Sequence, residues 1–448
     1  MPTITVEPAA NDTLAIQEAI DRCHAAGGGR VVVGGGRTWV CGTLRLKSHV
    51  ELHLEAGAVL AGSSRKADYE ERVLGGAYAG DAGGFLIFAD SATNVAITGL
   101  GTIDGRSLEW MDGWWEPAGR YIRKPLDWRP RGIGFIGCTD VQITGVTIRD
   151  MAQWTVHLTC CENVLIQGVT IRNRLDVPNC DGIDPDRCRN VRIVGCHIEA
   201  GDDCIVLKNT AQHAGKGDCT DVTIQGCTLV STSAALKIGT ESFGDFRRIV
   251  MTGCVIRGSH RGIAIQLRDT GTVEDVLISD CVIESRHFHD AWWGNAEPIY
   301  VTAIPRRADT KVGTIRRVTL SNLLCRAENG IVIHGSPDAP IEDLRLDGIR
   351  LDIATLSKWP GGRLDLRPMN GAEHGGLNPG GNPGVLVRHA KDVVLREIEV
   401  RFQGEAKPWR THALVAADVD GLRIDGLRGA AGNAGLAAQR IERCRITG

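Results

Sequence analysis

The sequence predicts an all-β fold, a single-stranded right-handed parallel β-helix with an N-terminal capping α-helix, forming one domain over residues 1–448. Three observations predict it. A twelve-residue line recurs along the chain, apolar and polar residues alternate within that line, and glycine reaches 56 residues, roughly twice its usual share of about 7%.

The line starts at Thr139, Glu162, Arg189, Thr220, Arg247, Glu274 and Arg316, with weaker copies from Thr93, Glu342, Lys391 and Asp420. Starts between 139 and 274 lie 23 to 31 residues apart, and later gaps of 42 and 49 require inserted loops. Such a period marks a stack of repeats. A βαβ unit needs about 30 or more residues with its helix, and no helical pattern separates the lines. A propeller blade would place four strands in roughly 40–50 residues. Neither fits. Within a line, pairs such as Val141 and Ile143, or Val191 and Ile193, follow the period of a strand with one buried face. Inserted loops are expected near 60–90, 106–132, 286–312 and 354–386.

The eighth residue of the line tests the register. It is Val146, Val169, Cys196, Cys227, Cys254, Cys281 and Leu323, the behaviour of a small buried hydrophobe. The four cysteines are therefore expected to form an unbridged interior stack. At the N-terminus, residues 12–25 place Leu14, Ile16, Ala19, Ile20 and Cys23 on one helical stripe, with Asp12 as N-cap and Gly27, Gly28 and Gly29 ending the run. With its caps, this helix spans 11–26 and covers the exposed edge of the first coil.

Composition narrows the function. A net charge of −3 gives no basic footprint for nucleic acid, and no apolar run approaches the length of a membrane span. The start lacks the basic and apolar regions of a signal peptide, so reduced thiols and a cytoplasmic location are expected. A chain trimmed of its leader would instead be secreted or periplasmic. A cytoplasmic location would imply short imported oligosaccharides, and thus exo action. No cofactor, metal or membrane partner is expected, and the sequence does not decide the oligomeric state.

The densest acidic clusters lie in successive coils, at Asn179–Asp184 and Gly201–Lys208. Residues one coil apart in a parallel stack sit about 4.8 Å from each other. Asp181 is thus expected to converge with Asp202 and Asp203. Three carboxylates so close cannot all ionise freely, and at least one should hold its proton more tightly. General acid–base chemistry requires that. The competing reading has Asp184 and one of Asp202 and Asp203 satisfying turns. Alternation alone does not say which carboxylates face outward, because Gly182 and Gly201 imply bends.

From about Asp12 to Val276 the chain resembles the polygalacturonase-like glycoside hydrolases of family 28, in the pectin-lyase-like β-helix superfamily. The likeness rests on the capping helix, Gly99–Gly105, Trp154–Leu158, Asn179–Asp184 and Gly201–Lys208. It implies an inverting hydrolysis of a poly- or oligosaccharide containing uronic acid. By that likeness Asp202 is the general acid, and Asp181 and Asp203 activate water. The departures bear on the substrate. Pectin-cleaving members carry Gly-His-Gly before Ser-Ile-Gly, and later Arg-Ile-Lys. Here Ala234–Ser242 lacks the histidine, and Ala264 and Gln266 stand in for the basic pair. That argues against a simple grip on polygalacturonate. With Leu236, Ile238, Ile263, Ile265 and Leu267 inward, Lys237, Glu241 and Arg268 face out. Lys237 and Arg268 then offer a replacement grip on an anion.

Further substrate-binding candidates are His157, one coil before Asp181, and Trp292 and Trp293 in the 286–312 insert. A hydrogen-bonded structural histidine and loop-anchoring tryptophans fit these positions equally, as they do for Trp110, Trp114 and Trp115. Two rivals to the hydrolase remain. One is a β-helix lyase with calcium at the aspartates and Lys237 or Arg268 as base; the other is a carbohydrate-binding β-helix without catalysis.

Overall fold

The computed structural model describes residues 2–73, 82–369 and 375–447. The chain forms two compact units, Met1–Cys227 and Thr228–Gly448, each a stack of parallel coils. The fold is the right-handed parallel β-helix.

A complete coil of the first unit has three strands. Val156–Thr159, Glu162–Gln167 and Thr170–Arg172 form one coil, and Ile183–Asp186, Arg189–Val194 and His197–Ala200 the next. Each strand pairs in parallel with its counterpart one coil on. The alternation works as expected: Val141, Val164 and Val191 stack in register with one another, as do Ile143, Ile166 and Ile193, all fully buried. Burying each such side chain stabilises the stack by about 1.5–3 kcal/mol.

The twelve-residue line is not one strand in this unit. It bends after its sixth residue, so that Thr139–Thr144 and Thr147–Arg149 are separate strands, each with its own parallel partners one coil on. The bend uses left-handed backbone at position seven, where Gly145, Gly168 and Gly195 have φ of 76°, 61° and 61°. Position two is also left-handed, at Asp140, Asn163, Asn190 and Asp221 (φ 55–60°). Glycine takes this conformation without a Cβ clash, and Asn and Asp tolerate it through local hydrogen bonding. The recurrent Asx and Gly of the repeat are therefore its turn code.

In the second unit the same line runs as the longer strands Val273–Ser285, Ile315–Ala327 and Ile341–Ile353, paired in parallel. The left-handed residue persists there at Asp280, Asn322 and Gly348. The insert expected at 286–312 contains a coil strand, Ile299–Ala303, and so divides into two loops. The 354–386 insert contains a hairpin, Arg363–Asp365 with Leu377–Pro379, and ends in the coil strand that begins at Val385. In the first unit, 106–132 holds the hairpin Met111–Trp114 with Arg123–Pro125 and the start of the coil strand Arg131–Ile136. The 60–90 insert likewise ends in a coil strand, Phe85–Asp90. Its residues 74–81, and residues 370–374 of the fourth insert, lie outside the described residues.

The helix Asp12–Ala25 is capped by Asn11, whose side chain accepts from Leu14 N at 3.2 Å. Asp12 is not the cap. It lies inside the first turn, buried, where Arg37 meets it at 2.7 Å and Val40 N donates to it at 2.9 Å. Leu14 is also corrected, being 57% exposed, because the buried stripe runs Asp12, Ile16, Ala19, Ile20 and Cys23.

The cysteine ladder is present in both units. Cys196 lies against Cys227 in the first, and Cys254 against Cys281 in the second, all buried. A parallel ladder joins Cys138, Cys161 and Cys188. All fifteen cysteines are free, and only Cys160 and Cys444 are half-buried instead of buried. Burial also suppresses the thiolate, pushing the Cys41 thiol up to about 12. Titration of the native protein with a thiol reagent is therefore expected to modify Cys160 and Cys444 rapidly and the others only on unfolding. Rapid reaction of Cys196 or Cys254 in the native state would overturn the register.

Candidate active site

Three strands of the first unit carry the acidic motifs: Val156–Thr159, Ile183–Asp186 and Ile205–Asn209. Val156, Ile183 and Ile205 point into the core, so His157 and Asp184, in register with each other, point outward. Thr159, Asp186 and Lys208 form the next outward row.

Asp181 immediately precedes the second strand. Its carbonyl accepts from Thr155 N at 2.9 Å, while Gly182 N donates to Asp203 O at 2.9 Å. Asp203 is thus the neighbour of Asp181 one coil on. The close approach explains Gly182: a Cβ there would stand 2.4 Å from Cys204 O. Beneath Asp181, buried Asn173 donates to Cys180 O (3.1 Å) and Thr155 Oγ1 (2.6 Å), fixing the bend.

Asp202 is reached through Asn179, whose Nδ2 donates to Asp202 Oδ2 at 3.4 Å. Arg129 orients Asn179 by donating to its Oδ1 at 2.7 Å, and holds the carbonyls of Ala152 (2.8 Å) and Pro178 (2.6 Å). Asp181, Asp202 and Asp203 are all buried.

Asp184 belongs to the same cluster and is fully buried. Lys208 Nζ lies 3.6 Å from Asp184 Oδ1 and 3.6 Å from Asp181 Oδ2. Burial raises the Asp184 carboxyl well above its ordinary range, and the charge of Asp181 raises it further against the opposing pull of Lys208. The raised carboxyl is thus Asp184, which lies outside the three carboxylates for which the rise was expected and which the competing reading placed in a turn. Trp154 packs over this group, with Lys208 Nζ 4.6 Å and Arg131 4.4 Å from its ring centre.

His157 is buried and fully engaged. Arg131 Nη1 donates to its Nδ1 at 3.2 Å, which assigns the proton to Nε2, facing Thr159 Oγ1 (3.2 Å) and Asp186 Oδ2 (3.5 Å). Burial and then Arg131 push the imidazole down to about 4, with Asp186 opposing, so it is neutral at pH 7. Burial alone would raise Asp186, but His157 and Thr210 outweigh it, with Thr210 Oγ1 donating at 2.6 Å, and hold the carboxyl low. These contacts fit the structural role for His157.

The remaining candidates lie in the second unit. Lys237 stands in register with Ala264, and Ala264 with Tyr300. Its ammonium is 5.6 Å from the ring centre of Trp293, which is half-buried. Glu241 is buried on the same strand. Arg268 does not stand open for a ligand as the alternation suggested. It is fully buried, with Nη1 on Leu267 O (3.0 Å), Thr302 O (3.3 Å) and Thr302 Oγ1 (3.0 Å), and Nε on Pro368 O (3.2 Å). The 354–386 insert has folded over that face, which is why alternation alone misjudged its exposure. Trp292 is likewise buried, and its carbonyl accepts from Arg367 Nη2 at 2.7 Å.

Fold and cluster together put the chain in the class of parallel β-helix proteins that carry carboxylates on one outward sheet. The chain belongs to the glycosyl hydrolases family 28, whose model matches residues 76–355. It is 32% identical over 253 residues to a probable polygalacturonase of Vitis vinifera, an alignment covering 52% of this chain and 49% of that protein. An endo-polygalacturonase of Pectobacterium carotovorum subsp. carotovorum is 24% identical over 250 residues, covering 54% and 61%. The chain thus spans about half the length of the grapevine relative. The hyperthermoactive exopolygalacturonase from Thermotoga maritima shares the fold, with a TM-score of 0.67 over 81% of this chain and 89% of that one, at 22% identity.

Proposed function

We propose that the protein hydrolyses glycosidic bonds with inversion, on an oligosaccharide or polysaccharide containing uronic acid. The observation that carries this reading is the meeting of Asp181 and Asp203 on adjoining coils, beside the Asp184 carboxyl, which burial pushes above its ordinary range. Asp202, steadied by Asn179, protonates the glycosidic oxygen as the bond breaks. Asp181 and Asp203 take the proton of a water that attacks the anomeric carbon from the opposite face. The family supports hydrolysis, and its relatives' names point to a pectic substrate.

Within the second unit, Lys237, with Trp293 beside it, is the cation we assign to a substrate carboxylate, the register neighbours Ala264 and Gln266 carrying no charge.

Oligogalacturonides incubated with the protein are expected to yield new reducing ends, inverted at the anomeric carbon, without an unsaturated uronate. An ultraviolet-absorbing product would identify a lyase, and no product a binding protein. Lys237→Met is expected to raise KM about tenfold on the acidic substrate with a smaller change in kcat, the effect of losing one charge-assisted contact. An unchanged KM would remove Lys237 as the carboxylate partner.

A further inference from the structure

We propose that Lys208 and Asp184 are positioning residues that act through Asp181: Lys208 sets its ammonium against both carboxyls, and Asp184 carries the proton of the pair, leaving Asp181 as the carboxylate. The inference rests on the reading of Asp181 as an activator of water.

The geometry is specific. Lys208 Nζ is equidistant, at 3.6 Å, from one oxygen of Asp181 and one of Asp184. All three side chains are buried, and neither carboxyl oxygen of Asp184 meets a hydrogen-bond donor. A fully buried carboxylate without donors is strongly disfavoured, whereas a protonated carboxyl beside a carboxylate satisfies both. One ammonium between two carboxyls balances one negative charge. A single proton completes neutrality, and burial together with Asp181 directs that proton to Asp184.

The surrounding charges leave this assignment in place. From the preceding coil His157 faces Asp184 but is kept neutral by burial and by Arg131. Asp186 is held by His157 and Thr210. From the following coil, the charge of Asp203 adds to the upward push on Asp184. Arg129 is directed onto two carbonyls and Asn179, and Asn179 in turn donates to Asp202.

Unequal displacements of the pH profile test the idea. Removing the cation leaves two buried carboxyls competing for a proton, so Lys208→Met is expected to move the acidic limb of kcat/KM upward by about one pH unit or more. On the limb itself, activity falls about tenfold at a fixed pH, with KM little changed. Lys208→Arg, which keeps the charge, is expected to restore the limb. Asp184→Asn replaces one neutral group by another, so the limb is expected to stay in place, whereas removal of an ionised Asp184 would let it fall to lower pH. A merely structural role would lower activity in both variants without moving the limbs apart.

The profiles are to be measured on the full chain with oligogalacturonides, alongside Asp181→Asn. If Asp181→Asn turns over normally, the reading of Asp181 is wrong. If Asp181→Asn is inactive yet the limb of Lys208→Met coincides with the parent, or that of Asp184→Asn falls, the present inference is overturned. Should Lys208→Met fail to fold, Lys208→Gln takes its place: an upward limb supports the inference, and an unmoved or falling limb overturns it.

Discussion

Asp202→Asn is expected to lower kcat by about 10²–10⁴-fold, the usual contribution of general acid–base assistance, while the fold stays intact. Asparagine preserves the shape that meets Asn179 Nδ2 but cannot deliver a proton to the leaving oxygen. A substrate whose leaving group departs without protonation should therefore recover much of the loss. The same substrate should not rescue Asp181→Asn, because water activation is still missing. Since the carboxylates act as a coupled unit, Asp181→Asn combined with Asp202→Asn should lose little more than the worse single variant. Chelator is expected to leave turnover unchanged. Near-normal kcat in Asp202→Asn on a natural leaving group would sink the acid assignment, and activity lost with chelator and restored by calcium would point to lyase chemistry.

Much of this site was legible because a coil repeat turns sequence separation into distance. Asp181 and Asp203 needed only the period and the strand spacing to be placed together. Other positions were not legible, for reasons of physics. Asp184 looked like a turn residue because the glycine bend hid its phase. Counting one residue on from Ile183, in register with Val156, would have put it outward beside His157. Lys208 lies on the same sheet, in register with Asp186, and its partnership with the aspartates becomes visible only when that register is known. His157 was open between substrate and structure, and the neighbours that fill its hydrogen bonds, Arg131 and Asp186, lie 26 residues before it and in the following coil. In the second unit the alternation put Arg268 on the outward side, but the insert carrying Pro368, 100 residues on, covers it. Local periodicity specifies which side of a strand a residue takes, and nothing in it reports what later folds over that side. The helix cap shows the same limit at short range. Asn11 and Asp12 are both good capping types, and the choice fell to Asn11 because Arg37, from the coil below, captures Asp12.

Asp365→Ala is expected to destabilise the protein by about 3–5 kcal/mol, the cost of breaking a buried ion pair from one side. Asp365 sits on the inserted hairpin and is fully buried among cations. Arg261 Nη2 donates to its Oδ2 at 2.8 Å, and Arg367 grips both oxygens, from Nε to Oδ1 and from Nη2 to Oδ2, at 2.8 Å each. Gly294 N adds a bond at 3.2 Å, and Tyr300 OH ties the same residue's carbonyl at 2.7 Å. Arg261 has a second carboxylate, Glu297 at 3.0 Å, and lies 3.7 Å over the Tyr300 ring. Alanine would leave two buried guanidiniums facing one remaining carboxylate. Burial raises the Asp365 carboxyl, but Arg261 and Arg367 outweigh it and hold it well below its ordinary range. Its contribution is therefore present above the unfolded carboxylate value near 4 and is lost as pH falls through the depressed folded value. The deficit of Asp365→Ala, read from the denaturant midpoint, should be full at neutral pH and shrink in acid. A variant within about 1 kcal/mol of the parent at pH 7 would show that this network does not fasten the hairpin.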